Sequence, residues 1–284
     1  MADRRRVHGP GGSSCIPSYD DDKDDLASRD RESETVRAVY LKTGVTPSAS
    51  GSAYLEIEPA RRSGFGGLKL TCTVHGPRSL PRSAPFSPHM VLSTHVKYAP
   101  FATAQSKCYV RDGSERDLNV HLETALHGAL IADRWPKSGV DVLVTIIEGE
   151  MASRAPADSG LEAVNTMNIL SACINVAAAA IADAGIDCVD TISGGVAALV
   201  VDQFSDNKAV VVMDPVPSDH DTILAACCVA YLPARDEITN LWLKARLPSR
   251  DNNARERLVG WAVQASKAAR QATTISLYKG LLEV

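Results

Sequence analysis

The sequence predicts an α+β fold, in which strands and helices come in blocks rather than in strict alternation. Two observations support this class. Segments that alternate polar and apolar residues at period two occupy the early part of the chain, and apolar residues spaced three and four apart indicate helices in its middle and at its end. The 284 residues, 45% of them hydrophobic, can bury a sizeable core.

Three early segments, residues 52–58, 68–75 and 90–99, predict antiparallel strands. Each mixes β-branched or aromatic residues with polar ones at period two. The segments between them, 59–67 and 76–88, are rich in Gly, Pro and Arg and therefore predict long basic loops.

Helical spacing begins after residue 113. Ser114 is followed three residues later by Asp117, which is typical of a capping box, and an amphipathic helix is expected to end before Pro136. A buried strand is predicted at 140–148. A second helix follows from about 161 to 184, where Gly185 suits a left-handed C-cap.

The rest of the chain predicts four strands and a last helix. The strands are expected at 191–202, 209–213, 222–231 and 237–245, and the helix from about 253 to 278.

The N-terminal residues 1–34 predict a flexible acidic tail, and residues 35–284 a single folded domain. Residues 20–34 contain eight acids and three bases, a local charge of −5, so the rest of a chain with net charge −4 is close to neutral at +1. No global positive field therefore indicates a nucleic-acid partner, and contacts to RNA would have to come from local clusters.

Several classes of protein are disfavoured. The longest apolar run, residues 223–232, is about half of a bilayer span, and the N-terminus opens on no apolar signal region, so we expect no membrane partner and no secretion. Seven cysteines without a C-x-x-C pair favour reduced thiols in the cytosol or nucleus. The common catalytic motifs are absent, and we predict neither a metal site nor a cofactor.

One candidate chemical site is the turn at residues 214–220. It places Asp214, Asp219 and His220 just after a predicted strand, and such a set can hold a divalent cation or act as acid and base. The alternative is a Pro-rich turn with solvated acids. A second candidate is the junction at 149–154 between a strand and a helix start. Backbone N–H groups there could hold an anion beside Ser153 and Arg154, but Glu150 would repel it.

Basic residues form a third candidate, because several of them could meet on one rim of a sheet and contact RNA phosphates. Scattered surface residues are an equally open interpretation. The candidates are Arg61, Arg62, Arg78, Arg82, Lys107, Arg111 and Arg116.

Six short motifs together resemble one known family. They are ASGSAYLE at 49–56, LTCTVHGPR at 70–78, YAPFA at 98–102, WPKS at 135–138, NVAAAAIADAG at 175–185 and Met-Asp-Pro at 213–215. In this order and spacing they are similar to RNase PH-like proteins, specifically the subunits of the eukaryotic RNA exosome ring. The resemblance covers roughly residues 36–280.

The resemblance implies an RNase PH-like domain, related to domain 2 of ribosomal protein S5, with mixed sheets packed against helices. It implies a place in a hexameric ring through which RNA is threaded. The partners expected from it are other RNase PH-like ring subunits, S1/KH cap subunits, a catalytic exosome nuclease and RNA. The expected compartments are the nucleus, the nucleolus and the cytoplasm.

The resemblance also bears on catalysis. Active members hold phosphate on a Gly-rich loop with an arginine and carry two acids after a Val-rich strand. Here Glu150 replaces a glycine and Arg154 is displaced, whereas Asp214 matches the first acid and Asp219 falls near the second. We therefore expect a degenerate phosphate or metal site and no catalytic residues. The alternatives are an active phosphorolytic 3′–5′ exoribonuclease that uses Arg154, Asp214 and Asp219, and a solitary RNA-binding module.

Overall fold

The structure is a computed structural model that describes residues 31–59, 67–81, 83–103, 112–149, 161–201, 209–220, 222–245 and 252–282. The described elements are β1 (Val39–Thr43), β2 (Gly51–Ile57), β3 (Lys69–Ser79), β4 (Val91–Tyr98), α1 (Gly113–His127), β5 (Ser138–Glu148), α2 (Leu161–Asp183), β6 (Ser193–Val201), β7 (Val210–Met213), β8 (Thr222–Leu232), β9 (Glu237–Ala245) and α3 (Asn252–Leu282). The α+β class and the predicted strands and helices are confirmed, whereas the sequence patterns do not predict β1.

The strands form two sheets. The first has the order β1-β2-β3-β5-β4 and the second the order β7-β6-β8-β9. The second sheet is antiparallel throughout. In the first sheet, β4 pairs with β5 in parallel, so the prediction that all three early strands are antiparallel is wrong for β4. The reason is that α1 connects β4 to β5 as a crossover, which brings the chain back in the same direction.

Helix α2 lies between the two sheets, where it contacts β2 and β3 on one side and β6 and β8 on the other. Two glycines allow this close approach. A Cβ on Gly51 would lie 2.4 Å from the backbone oxygen of Ala180, and one on Gly194 would lie 2.7 Å from that of Ser171. The helix is long and apolar enough to cross a membrane, but 89% of its most apolar window is buried inside the fold.

Helix α3 covers the opposite face of the second sheet. A Cβ on Gly195 would lie 2.4 Å from the backbone oxygen of Ala262 in α3, so neighbouring glycines of β6 face the two different helices. Strand β6 is therefore buried on both faces, and its sequence SGGVAALVV is apolar without alternation.

The ends of two helices bear on the capping predictions. Gly185 has a φ of +67°, as expected for a residue that ends α2 in the left-handed region. The capping box of α1 is formed by Asp112 and Glu115, and not by Ser114 and Asp117 as predicted. Glu115 is 1% exposed because it also accepts a hydrogen bond from the backbone N–H of Tyr98 at 3.1 Å, and this contact with β4 sets where the helix begins.

Part of the predicted tail contacts the fold. The backbone N–H of Met213 donates to the carbonyl of Ser33 at 2.9 Å, which holds the chain before β1 against the end of β7. Residues 1–30 of the predicted tail lie outside the described residues.

The five cysteines in the described part are free thiols, and burial raises the pKa of the half-buried Cys188 to about 11.

Candidate functional site

Asp214, the first acid of the predicted site, is bound on both carboxylate oxygens by Arg37. The Nε of Arg37 lies 2.7 Å from Oδ2 and its Nη2 lies 2.7 Å from Oδ1, and the Arg37 backbone N–H donates to Oδ2 at 3.0 Å. The Arg37 side chain is 2% exposed and the Asp214 side chain 17%. This is a bidentate ion pair that is largely removed from water.

Two further features place this carboxylate. Asp214 has a φ of +46°, and its backbone N–H donates to the carbonyl of Val196 on β6 at 2.9 Å. Arg31 adds an ion pair of 3.3 Å to Oδ2. Burial by itself would raise the pKa of Asp214, but the charges of Arg37 and then of Arg31 outweigh burial and hold that pKa well below its ordinary value. The carboxylate is therefore ionised and its charge is compensated by the protein itself.

The second acid, Asp219, lies in a short 3-10 turn at Pro217–Asp219. The backbone N–H of Asp219 donates to the carbonyl of Val216 at 3.1 Å, and the side chain of the buried Asn168 donates to the carbonyl of Pro215 at 2.8 Å. A backbone hydrogen bond within the turn and the Asn168 side chain thus help to hold it in place. Within the described ranges, no group of three or more His, Cys, Asp or Glu side chains is placed to hold a metal ion.

A small cavity of about 70 Å³ lies beside the ion pair. It is lined by Arg37, Asp214 and the polar side chains of Asn168, Ser171 and Asn175, with small residues of α3 on its other side. Pockets for nucleotide-sized ligands usually begin at ~300 Å³. The cavity next to Asp214 therefore has room for water and not for a nucleotide.

Several predicted site residues lie outside the described residues. They are Glu150, Ser153 and Arg154 of the predicted anion site, and Arg61, Arg62, Arg82, Lys107 and Arg111 of the basic set.

The two described basic candidates lie at opposite ends of the first sheet. Arg78, at the end of β3, pairs with Gly139 at the start of β5 and forms an ion pair with Asp141, while its side chain stays 66% exposed. Arg116 is exposed in the first turn of α1, where the neighbouring Glu115 contacts the far end of β4. The eight residues of β4 separate the two ends by roughly 25 Å. Arg78 and Arg116 therefore do not lie together, and for the other five basic residues a common rim stays a prediction.

Sequence reasoning missed Arg37, the residue that decides the state of Asp214. The two residues are 177 positions apart, and Arg37 belongs to no motif that is specific to carboxylate binding. The only sequence signal is a single arginine between Val36 and Ala38 at the predicted start of the fold, and a pattern of one residue does not indicate its partner.

The chain and its fold match a known family. Residues 35–187 match the family model of the 3′ exoribonuclease family, domain 1, also called RNase PH. Because this match covers more than half of the chain, the protein belongs to the RNase PH family. A solved structure of rice Rrp46 has the same fold, with a TM-score of 0.65 over 88% of this chain and 98% of that one, at 13% identity.

Two curated relatives are similar to this chain over most of its length. The chain is 60% identical over 275 residues to the exosome complex component MTR3 of Chaetomium thermophilum, which covers 95% of this chain and 96% of that protein. It is 29% identical to the component mtr3 of Schizosaccharomyces pombe over 85% of this chain and 84% of the relative. These matches confirm the expected resemblance to RNase PH-like subunits of the exosome ring, and among these subunits the chain is similar to the components named MTR3.

Proposed function

We propose that the protein is a non-catalytic structural subunit of the RNA exosome core ring, where it supports 3′–5′ RNA processing and degradation and lines the RNA path. Ring membership is supported by the 60% identity, over 95% of the chain, to a protein named as an exosome complex component. Its neighbours would be other RNase PH-like subunits, S1/KH cap subunits and a catalytic exosome nuclease. The complex would act in the nucleus, the nucleolus and the cytoplasm.

The observation that carries the non-catalytic part is the ion pair between Arg37 and Asp214. A carboxylate whose two oxygens already accept hydrogen bonds from one buried arginine has to give up this pair before it can bind a metal ion or a proton from substrate. The small cavity beside it supports the same conclusion. The protein would thus keep the fold and its contact surfaces while its chemistry is supplied elsewhere in the complex.

The alternative function is phosphorolysis, which is favoured by the family description as a 3′ exoribonuclease. The test is to incubate the purified chain, alone and assembled with its ring partners, with labelled RNA and inorganic phosphate. We expect no release of nucleoside diphosphates. Release that disappears in Asp219→Asn, a variant that leaves the Arg37 pair intact, would establish the alternative.

For RNA contact we expect a local, salt-sensitive contribution from Arg78. In the assembled ring, Arg78→Glu should weaken RNA binding and reduce the slope of log K against log salt by about one, as for the loss of one phosphate contact. The matched control is Arg134→Glu, because Arg134 is also 66% exposed and paired with an aspartate, Asp187. Equal salt slopes for Arg78→Glu, Arg134→Glu and the wild type would place the RNA path away from this end of the sheet.

A further inference from the structure

A second cavity lies between the C-terminal ends of α1 and α2 and the segment that follows α2. Its volume is about 280 Å³, about four times that of the cavity beside Asp214. Its wall is mostly apolar and includes Leu126, Leu130, Ile181 and Ile192. Because protein interiors are packed almost without voids, an apolar space of this size needs a physical cause.

The cavity persists because its walls are fixed and its lining side chains are short. Ala129 of α1 and Ala178 and Ala182 of α2 line it at positions where longer side chains would fill the space. The chain turns back after α2 at Gly185, and the backbone N–H of Val189 then donates to the carbonyl of Ala129 at 2.9 Å. The wall that follows α2 is thus tied to α1, and the cavity is formed before any ligand binds.

The polar side chains of the wall already have partners. Both oxygens of Asp190 accept hydrogen bonds from Nη2 of Arg270 at 2.9 Å, and the backbone N–H of Thr191 donates to the same carboxylate at 2.7 Å. The Sγ of Cys188 donates to the carbonyl of Ile186 at 3.3 Å. A charged or strongly polar ligand would therefore lose its hydration in this cavity without gaining equivalent partners.

The volume of the cavity and its access to solvent indicate the size of a ligand. Ala182 is exposed in the last turn of α2, so the cavity opens to solvent there. An apolar cavity of roughly 150 Å³ stays dry and binds benzene, and pockets for larger ligands usually begin at ~300 Å³. The cavity between α1 and α2 therefore has room for two fused aromatic rings but not for a nucleotide.

We propose that this cavity is a binding site for a small neutral apolar molecule, about the size of two fused aromatic rings. Water inside the cavity meets few hydrogen-bond partners, so a ligand that replaces it gains the free energy of burying apolar surface. The fixed walls keep the loss of conformational entropy small. This inference goes beyond the proposed place in the exosome ring and does not depend on it.

The test measures binding of indole, a neutral molecule with two fused rings, to the full chain by calorimetry. We expect one saturable site with a dissociation constant below about 1 mM. Ala182→Phe places a ring at the opening of the cavity. The matched control is Val120→Phe, because Val120 of α1 is also exposed, at 60%, but does not line the cavity. Both variants should unfold at the wild-type temperature without indole, because the changed side chains are exposed.

We expect Ala182→Phe to weaken indole binding at least tenfold and Val120→Phe to leave it unchanged. A second measurement needs no substitution. Cys188 lines the cavity, so saturating indole should slow its alkylation by iodoacetamide at least fivefold, as read by peptide mass spectrometry. If indole does not bind, if it binds Ala182→Phe as tightly as the wild type, or if the alkylation rate of Cys188 does not change, the inference is overturned.

Two related probes test the chemical class of the ligand. Indole-3-carboxylate carries a charge, and N-acetyl-tryptophanamide carries two amide groups that represent a protein segment. We expect both to bind at least tenfold more weakly than indole, because each adds polar groups that the cavity wall does not satisfy. If either binds as tightly as indole, the cavity accepts an anion or an anchored protein side chain, and the inference is likewise overturned.

Discussion

The two sheets differ in how many of their faces are covered. The first packs one face on α2, and its other face, which carries Thr71, Thr73 and Thr145, is half-exposed. The second packs one face on α2 and the other on α3. This difference explains why period-two alternation is clear in β2 and β3 but absent from β6. The same kind of substitution should therefore cost more on a face that a helix covers than on the open face of the first sheet.

The largest difference is expected between two ion pairs. Arg37→Ala leaves Asp214 largely buried without its main partner and should lower the free energy of unfolding by about 3–5 kcal/mol. Arg78→Ala removes the pair with Asp141 on the open face of the first sheet and should cost less than about 1 kcal/mol, because that arginine is mostly exposed. Urea unfolding of both variants measures the difference, and equal losses would show that coverage of the sheet does not set the cost.

Two glycines provide the next comparison. In Gly195→Ala, the new methyl group would lie 2.4 Å from the backbone oxygen of Ala262 and 2.3 Å from the backbone nitrogen of Ser266, so α3 has to move away from the second sheet. We expect a loss of about 1–3 kcal/mol.

The matched change in the first sheet is Gly139→Ala. There the nearest atom is the flexible Leu80 Cδ2, at 3.1 Å, and the expected loss is under about 1 kcal/mol. Thermal unfolding measures the loss of stability in both variants. A larger loss for Gly139→Ala than for Gly195→Ala would contradict the close packing of α3 on the second sheet as the cause.

The smallest expected effect is a dependence on acid. Because the folded state holds the pKa of Asp214 below the ordinary value of 3.8, the stability gained from ionised Asp214 is fully present above that value and is lost as the pH falls toward the folded pKa. In Arg37→Ala this gain is largely absent. The difference in unfolding free energy between wild type and variant should therefore narrow as the pH is lowered from about 6 to about 3. A difference that stays constant over this range would mean that the ionisation of Asp214 does not stabilise the folded state through Arg37.

The elements predicted best are those whose residues carry their own signal. The sequence pattern predicts β9 at 237–245 and the structure has it at Glu237–Ala245, and α2 ends beside Gly185 as its φ preference indicates. The predicted orientation of β4 is wrong, because period-two alternation is the same in parallel and antiparallel strands. The predicted capping box of α1 is misplaced because the contact of Glu115 with Tyr98 is not visible in local spacing.

The candidate site, too, could be predicted from the sequence only in its local features. The residue types and the turn at 214–220 could be predicted, because prolines and acids after a Val-rich run indicate a turn at the end of a strand. The state of Asp214 could not be predicted, since its partner Arg37 comes from the other end of the chain. The position of Arg78 and Arg116 at opposite ends of one sheet follows from the crossover between β4 and β5.

The sequence by itself determined the fold class, the order of the elements and the family, because periodicity, capping residues and short motifs are local properties of the chain. Only the tertiary structure decided that ionised Asp214 forms an ion pair with Arg37, that β6 is covered on both faces, and that one face of β9 is apolar and exposed. These depend on contacts between distant segments, whose free energies arise when burial brings charges and apolar surfaces together.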